Sequence, residues 1–462
     1  MDLKFKQRSD INDSFEQLLS LWNVYCCQSI IHGEDEMKVI ITGGGWSGCG
    51  AALTAVNQGA DVILLERTDM LLGTGLVGGI MRNNGRFTAT EELRAMGGGE
   101  LFDLCDQNSL HRNVEFPGHH HASLYNVAKM EPMVKQYLFS KGIKITCQAR
   151  VTDVTLEGNR IRAVSGKQGD EPFLIEGDVF IDTTGTAGPP ANCNKYGNGC
   201  VMCVLRCHSF GGRVSLAAKA GVKELMGKRG DQVGSMSGSC KLLKESLSPD
   251  LLSELNAKGV LVVPLPTSKV LKGKLDLKCC QQYALPEFEK NIVLLDTGHA
   301  KLMTPFFPLD FLREISGFEN ARFEDPYAGG KGNSIRFIGM SPRDDSLKVI
   351  GVENLFCAGE KAGLLVGHTE AICTGSLAGY NAVKYIRKEN PLILPDTLAI
   401  GDAIRHVRLQ MGTEDGLGLK YTFSGSVFFE RMKARNLYTT DTSQIKDRVG
   451  KAGLFGVFRN QR

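Results

Sequence analysis

Short, wholly apolar runs alternate with longer stretches of helical period along this chain. Val39 to Ile41 and Val62 to Leu65 are apolar runs of strand length, the pattern of strands buried on both faces. Between them Ala51, Ala52, Leu53, Ala55 and Val56 predict a helix with a small packing face, which Gly59 ends. Residues 124–139 are helical by period and lead into "GIKI". "GIKITCQARVTDVTLEGNRIRAVSG" predicts a strand and then a hairpin turning at Glu157-Gly158-Asn159. "GDVFIDTTG" begins as another buried strand. "VENLFCAGEKAGLLVGHTEAICTGSLAGYNAV" predicts a strand, a glycine turn and a helix from about His368 to Tyr385. Residues 214–340 mix strands, basic loops and a helix capped within "SLSPDLLSELNAKG", while residues 400–462 are helical.

Candidate chemistry enters with the glycines, which number 54 in 462 residues and cluster in blocks. Gly43, Gly45 and Gly48 form G-x-G-x-x-G between the first strand and its helix. Gly43 permits the tight turn, Gly45 lets backbone approach a pyrophosphate, and Gly48 lets helix and strand pack closely. Trp46 and Ser47 then open the helix, whose N-terminus offers unpaired N–H groups to phosphate. Glu66, followed by Arg67, closes the second strand at the distance where an acid takes ribose hydroxyls, which disfavours a 2′-phosphate. Strand, glycines, helix, strand and acid come in order, so a dinucleotide site is the expectation.

These stretches, with "FIDTTG" and "LFCAGE", resemble the FAD-dependent oxidoreductases of the glutathione-reductase-like superfamily over most of residues 37–390. The resemblance implies an α/β fold: a Rossmann-like FAD-binding domain with a three-layer ββα sandwich, plus an inserted strand-rich substrate domain. It implies FAD as cofactor, with Val151, Thr184 and Gly185 near the adenine end and Gly359 and Glu360 on the ribityl chain. Glu360 is a mild departure, since the superfamily more often has Asp there. Gly73, Thr74 and Gly75 would pass beside the FAD, with Arg82 either reaching it or standing solvated. The helix beginning at Gly367 and His368 would aim its positive end at the flavin. "VGHTEAICTGSLAGYNA", with Gly375, Gly379 and Asn381-Ala382, is similar to the matching helix of the tRNA-modifying flavoproteins GidA and TrmFO.

The expected organisation places FAD-binding segments at 37–110, 146–200 and 341–395, and a helical segment at 111–145. A substrate or cap domain with a Cys-rich start follows at 201–340, and a helical region at 396–462. Residues 1–36 are expected to be an extension. They either precede a natural start at Met37 or form an amphipathic helix on Phe15, Leu18, Leu19 and Trp22.

Four cysteines crowd "CNKYGNGCVMCVLRCHSF". Cys193, Cys200, Cys203 and Cys207 fit a [4Fe–4S] cluster beside a redox cofactor; zinc would not carry electrons. Cys200, Cys203 and Cys207 also fit one buried helical stripe, and Cys200–Cys203 fits a redox disulfide. All three readings stay open. Arg206, His208 and Arg213 are candidates for binding and protonating an anionic substrate. His119, His120 and His121 are adjacent and cannot easily share one metal, so they are expected in a surface loop.

Net charge is +3, too mild to point to nucleic acid, although residues 400–462 carry eleven basic against six acidic side chains. No apolar run is long enough to span a membrane. Fourteen cysteines without a secretion signal predict a reducing, cytoplasmic setting. The expected function is hydride or electron transfer between flavin and a small-molecule substrate, with an electron-carrier protein as a further partner. A tRNA-modifying flavoprotein and a non-catalytic electron-transfer subunit are the alternatives.

Overall fold

The computed structural model describes residues 37–185, 206–229, 232–233, 235–237, 240–275, 281–304, 307–324, 334–336 and 338–459. Both readings of residues 1–36 therefore lie outside the described residues.

Five parallel strands form the base: β1 (Lys38–Thr42), β2 (Asp61–Leu65), β3 (Lys144–Thr146), β4 (Val179–Asp182) and β5 (Leu355–Cys357), in the spatial order β5-β4-β1-β2-β3. Their registers pair Val39 with Val62 and Val179, and Ile181 with Phe356. Val39, Ile41, Leu64, Phe180 and Phe356 are buried, which explains the continuous apolar runs: helices and a second sheet cover both faces. Helix α1 (Trp46–Asn57) connects β1 to β2. Helix α2 (His368–Ile386) follows β5 and crosses α1 at close range. A Cβ on Gly375 or Gly379 would lie well under 3.0 Å from the Ser47 or Ala51 carbonyl oxygen, so the two helices approach backbone to backbone.

The predicted hairpin is present as strands Ala149–Glu157 and Arg160–Gln168, extended by Glu171–Glu176 into a three-stranded antiparallel meander. Asn354 fastens it to the parallel sheet: its amide accepts from Ile161 N–H at 2.9 Å and donates to the Ile161 and Asp178 carbonyls at 2.8 and 3.0 Å.

A four-stranded antiparallel sheet forms a second layer, ordered Cys240–Leu242, Ala300–Leu302, Asn291–Asp296, Val260–Pro264. Its own core includes Leu242, Leu255, Leu261, Leu294 and Phe318. The helix Pro249–Lys258 that covers it is capped as expected, by the Ser248 hydroxyl at one end and left-handed Gly259 at the other. Polar contacts of Asp296 and Lys301 are among those that fasten this layer to the rest of the chain. Asp296 accepts from His111 at 2.9 Å and from Lys244 at 2.7 Å. Lys301 reaches the Val77 and Gly78 carbonyls.

The C-terminal helices close over the base, and four of their arginines pair with carboxylates of other elements. Arg431 and Arg435 pair with Asp402, Arg408 with Asp345, and Arg448 with Glu92. Glu92 is fully buried and caps helix α3 (Ala399–Gln410) by accepting the Ala399 and Ile400 N–H groups at 2.8 and 3.0 Å. Burial raises its carboxyl from 4.5 to about 7, against the lowering pull of those N–H groups and Arg448. The folded chain therefore binds the extra proton. This contribution to stability is complete below the unfolded value of 4.5 and is lost as pH rises through about 7. In Glu92→Gln that slope should vanish. Urea midpoints of variant and wild type, compared at about pH 5 and about pH 8, should shift in the variant's favour at the higher pH. A constant difference would refute the assignment.

Candidate functional site

The G-x-G-x-x-G residues lie where β1 turns into α1, and the three glycines are required for different reasons. Gly43 has φ +107, and a Cβ there would collide with the Thr183 backbone. A Cβ on Gly48 would collide with the Gly43 carbonyl oxygen. Gly45 differs: its backbone is extended (φ −67, ψ 179), and a Cβ there would meet nothing within 4 Å. The protein itself does not demand glycine at 45. A ligand pressed against that backbone would. Among the described residues no side chain caps this end of α1, and no acid lies in its first turn, so its N–H groups and positive dipole end are open to an anion. This cradle fits a dinucleotide pyrophosphate.

Glu66 stands at the end of β2, 7% exposed. One carboxylate oxygen accepts Gly44 N–H at 2.7 Å; the other accepts the Thr68 N–H and hydroxyl at 2.8 and 3.0 Å. The acid thus fixes the glycine turn while presenting its edge beside it. Val151 is buried on the meander. Thr184 donates from its hydroxyl and N–H to Asp182, and Gly185 adopts φ +67. Arg67 donates to the Gly211 carbonyl, and desolvation lowers its guanidinium pKa below the usual arginine value.

The turn Gly75–Gly78 is wedged between the opening residues of two helices. A Cβ on Gly75 would strike the Trp46 indole, the first residue of α1; one on Gly78 would strike the His368 ring, the first residue of α2. Tyr125 donates to the Gly75 carbonyl at 3.3 Å and stands 3.5 Å from His368 Nδ1. Gly73 (φ +50) and Thr74 precede this turn. Gly359 (φ +64) and half-buried Glu360 lie just after β5, and Gly367 caps α2. The structure therefore gathers the sequence-predicted residues from 43 to 75 and from 359 to 368 near the N-terminal ends of α1 and α2, which run in the same direction.

Arg82 takes neither of its expected places. It adopts φ +64 and is held by Glu91 and Asp106 at 2.8 and 2.9 Å, with Phe87 beneath it. The histidine run is a strand, not a surface loop. Residues Ser109–Phe116 and His119–Tyr125 pair around Pro117-Gly118, and strand alternation buries His119 (1% exposed) while exposing His120. His119 accepts from Asn83 at 2.9 Å and donates to the Gln282 carbonyl at 3.0 Å. That tautomer follows from Arg86, which donates to Asn83 Oδ1 and so turns the amide nitrogen toward the ring.

Two buried charge clusters had no signal in the sequence. Arg86 pairs with Glu370 in the first turn of α2, where Thr422 and Phe423 N–H also donate to Glu370. The second cluster sits at the ends of β4 and β5. Lys361, wholly buried, meets Glu224 and donates to Ser215 at 2.8 Å; Ser215 Oγ and the Leu216 and Ala217 N–H groups bind Asp182. Burial pushes Lys361 down to about 7 although Asp182 opposes the shift. Burial would raise Asp182, but Lys361 and the Thr184 hydroxyl hold it below the usual range.

Arg213 belongs to this cluster, paired with Glu224 at 3.2 Å. Arg206, with φ +46, pairs with Asp69 and lies over Phe210. The backbone of His208 is in the short helix Cys207–Phe210. Cys193, Cys200 and Cys203 lie outside the described residues; Cys207 is a half-buried free thiol. Among the described residues no group of three or more His, Cys, Asp or Glu is placed to hold a metal, and no helix is long and apolar enough to cross a membrane.

The family model described as Glucose inhibited division protein A matches residues 38–301 and 302–390. A protein of Desulfotalea psychrophila named tRNA uridine 5-carboxymethylaminomethyl modification enzyme MnmG is 30% identical over 184 residues, 39% of this chain and 27% of that protein. Its namesake in Syntrophotalea carbinolica is 21% identical over 423 residues, 79% of this chain and 65% of the relative. Both matches thus span less than two thirds of the relative's length. Among solved structures, GidA of Aquifex aeolicus in its form II crystal superposes with a TM-score of 0.60 at 16% identity, covering 92% of this chain and 74% of that one.

Proposed function

The chain belongs to the glucose inhibited division protein A family and is an FAD-dependent enzyme, and from that premise we propose that it modifies uridine in tRNA. The supporting observation is the extent of the family match, residues 38–390, which takes in the whole open cradle at Gly45. This reading reverses the expectation drawn from the small net charge. Arg408, Arg431, Arg435 and Arg448 are engaged by the chain's own carboxylates, while Arg405, Lys433, Lys446 and Lys451 stand exposed on the same helices.

Under this reading the FAD pyrophosphate lies on Gly45, Trp46, Ser47 and Gly48, and Glu66 takes the ribose hydroxyls. Arg67, Val151, Thr184 and Gly185 flank the adenosine half. Gly73, Thr74, Gly75, Gly359, Glu360, Gly367 and His368 surround the flavin half, and the α2 N-terminus favours negative charge there. FAD supplies hydride or electron transfer when bound. Segments 37–110, 146–200 and 341–395 would share that work.

The test is direct. Flavin-loaded protein, prepared without oxygen, is titrated with tRNA at rising salt, and the treated tRNA is digested to nucleosides. Salt-sensitive binding and a changed uridine are expected. No retention at low salt and an unaltered nucleoside profile would reject the tRNA reading. The pairing of Arg408, Arg431, Arg435 and Arg448 with carboxylates of the chain itself then favours the second reading, a small-molecule oxidoreductase using Arg206, His208 and Arg213 and a carrier protein. A [4Fe–4S] cluster on Cys193, Cys200, Cys203 and Cys207 rests on spacing alone. About four iron and four sulfide per chain in the same preparation would establish it.

A further inference from the structure

Lys301 comes from the second sheet, yet it grips the turn that separates the two helix N-termini of the cofactor site. It is 6% exposed, and its ammonium donates to the Val77 and Gly78 carbonyls. Those carbonyls belong to the Gly75–Gly78 turn, whose other side abuts Trp46 of α1 and His368 of α2. The contact is dense. A Cβ on Gly79 would strike Thr297, in the turn after the second-layer strand Asn291–Asp296, and Val127 N–H donates to the Thr297 carbonyl at 3.1 Å. The second sheet therefore presses on the turn at two points, and Lys301 supplies the charge.

We infer that Lys301 is a positioning residue for the flavin. It holds the Gly75–Gly78 turn in the shape that spaces the α1 and α2 N-termini, and it brings a buried positive charge to the flavin side of the site. This rests on the FAD reading above. A turn whose carbonyls lose their ammonium must find other donors or shift. Either change alters the gap that the cofactor fills. A cation in water-poor surroundings also favours a reduced flavin carrying negative charge over an oxidised, neutral one.

Full-length Lys301→Met is compared with wild type and with His111→Leu, which cuts a separate tie from that layer to the strand Ser109–Phe116 while leaving Asp296 its Lys244 partner. FAD affinity is read by fluorescence and the flavin midpoint potential by dye equilibration. Lys301→Met should bind FAD at least about tenfold more weakly. Its preference for reduced over oxidised flavin should fall about tenfold, a drop of roughly 30 mV for a two-electron couple. His111→Leu should lower thermal stability and move neither flavin readout. Wild-type affinity and potential in Lys301→Met would overturn the inference. So would an equal loss in His111→Leu, which would make Lys301 a general fastener of the second sheet. Absence of FAD binding by wild type would instead overturn the FAD reading itself. If Lys301→Met does not fold, Lys301→Gln retains an amide N–H donor on a shorter side chain and removes the charge. A lowered potential then supports the inference and an unchanged one overturns it.

Discussion

Gly45→Val should abolish FAD binding and leave the apoprotein folded. The backbone at 45 is extended, open to any residue, and a Cβ there meets no atom of the described residues within 4 Å. Valine should therefore change apoprotein stability by no more than about 0.5 kcal/mol. The same isopropyl group would stand where the pyrophosphate must approach the backbone. A loss of at least ~100-fold in FAD affinity, about 2.7 kcal/mol, is expected. Gly48→Ala should behave in the opposite way. Its Cβ collides with the Gly43 carbonyl oxygen, so the fold itself suffers, by about 1–3 kcal/mol as for other overpacked sites. Urea unfolding of each apoprotein and a fluorescence titration with FAD separate the two outcomes. Flavin binding by Gly45→Val at wild-type strength would show that no cofactor lies against that backbone.

That contrast also shows what the sequence makes legible. The β1-α1-β2 unit could be read because its logic is local: every residue of the fingerprint lies within one chain excursion, from Gly43 to Glu66. The hairpin at Gly158-Asn159 and the helix at His368 are legible for the same reason. The charge clusters are not. Arg86 meets Glu370 across 284 positions, and Lys361 meets Ser215 across 146. No periodicity encodes such partners, because each member read alone is an ordinary polar residue on an apolar face. Lys301 is hidden in the same way, in a strand whose other residues are apolar. His119 is different, since a usable signal was present: Pro117-Gly118 is a turn dipeptide, and the residues after it alternate in strand fashion.

The helix crossing provides a test in which two physical rules predict opposite signs. Alanine in a helix interior is usually better than glycine by about 1 kcal/mol. By propensity alone, Gly375→Ala and Gly379→Ala should stabilise α2. The structure says the reverse, because each new methyl would enter the space of a backbone carbonyl of α1, at Ser47 and at Ala51. Relief by sliding is restricted. Thr374 accepts the Gly359 N–H at 2.9 Å, and Asn381 donates to the Ser346 and Leu392 carbonyls, each at 2.9 Å. Each substitution should therefore destabilise by about 1–3 kcal/mol or more. The double variant should lose the folded state or its flavin, because separating the helices also moves both N-termini of the cofactor site. The two positions are one turn apart, so their costs need not add. Gly450 supplies the control. It lies in the helix Thr442–Lys451 with nothing within 4 Å of its missing Cβ, so Gly450→Ala should gain up to about 1 kcal/mol. If Gly375→Ala raised the urea midpoint as Gly450→Ala does, the close crossing of α1 and α2 would be wrong. The proposed seating of FAD across their N-terminal ends would fall with it.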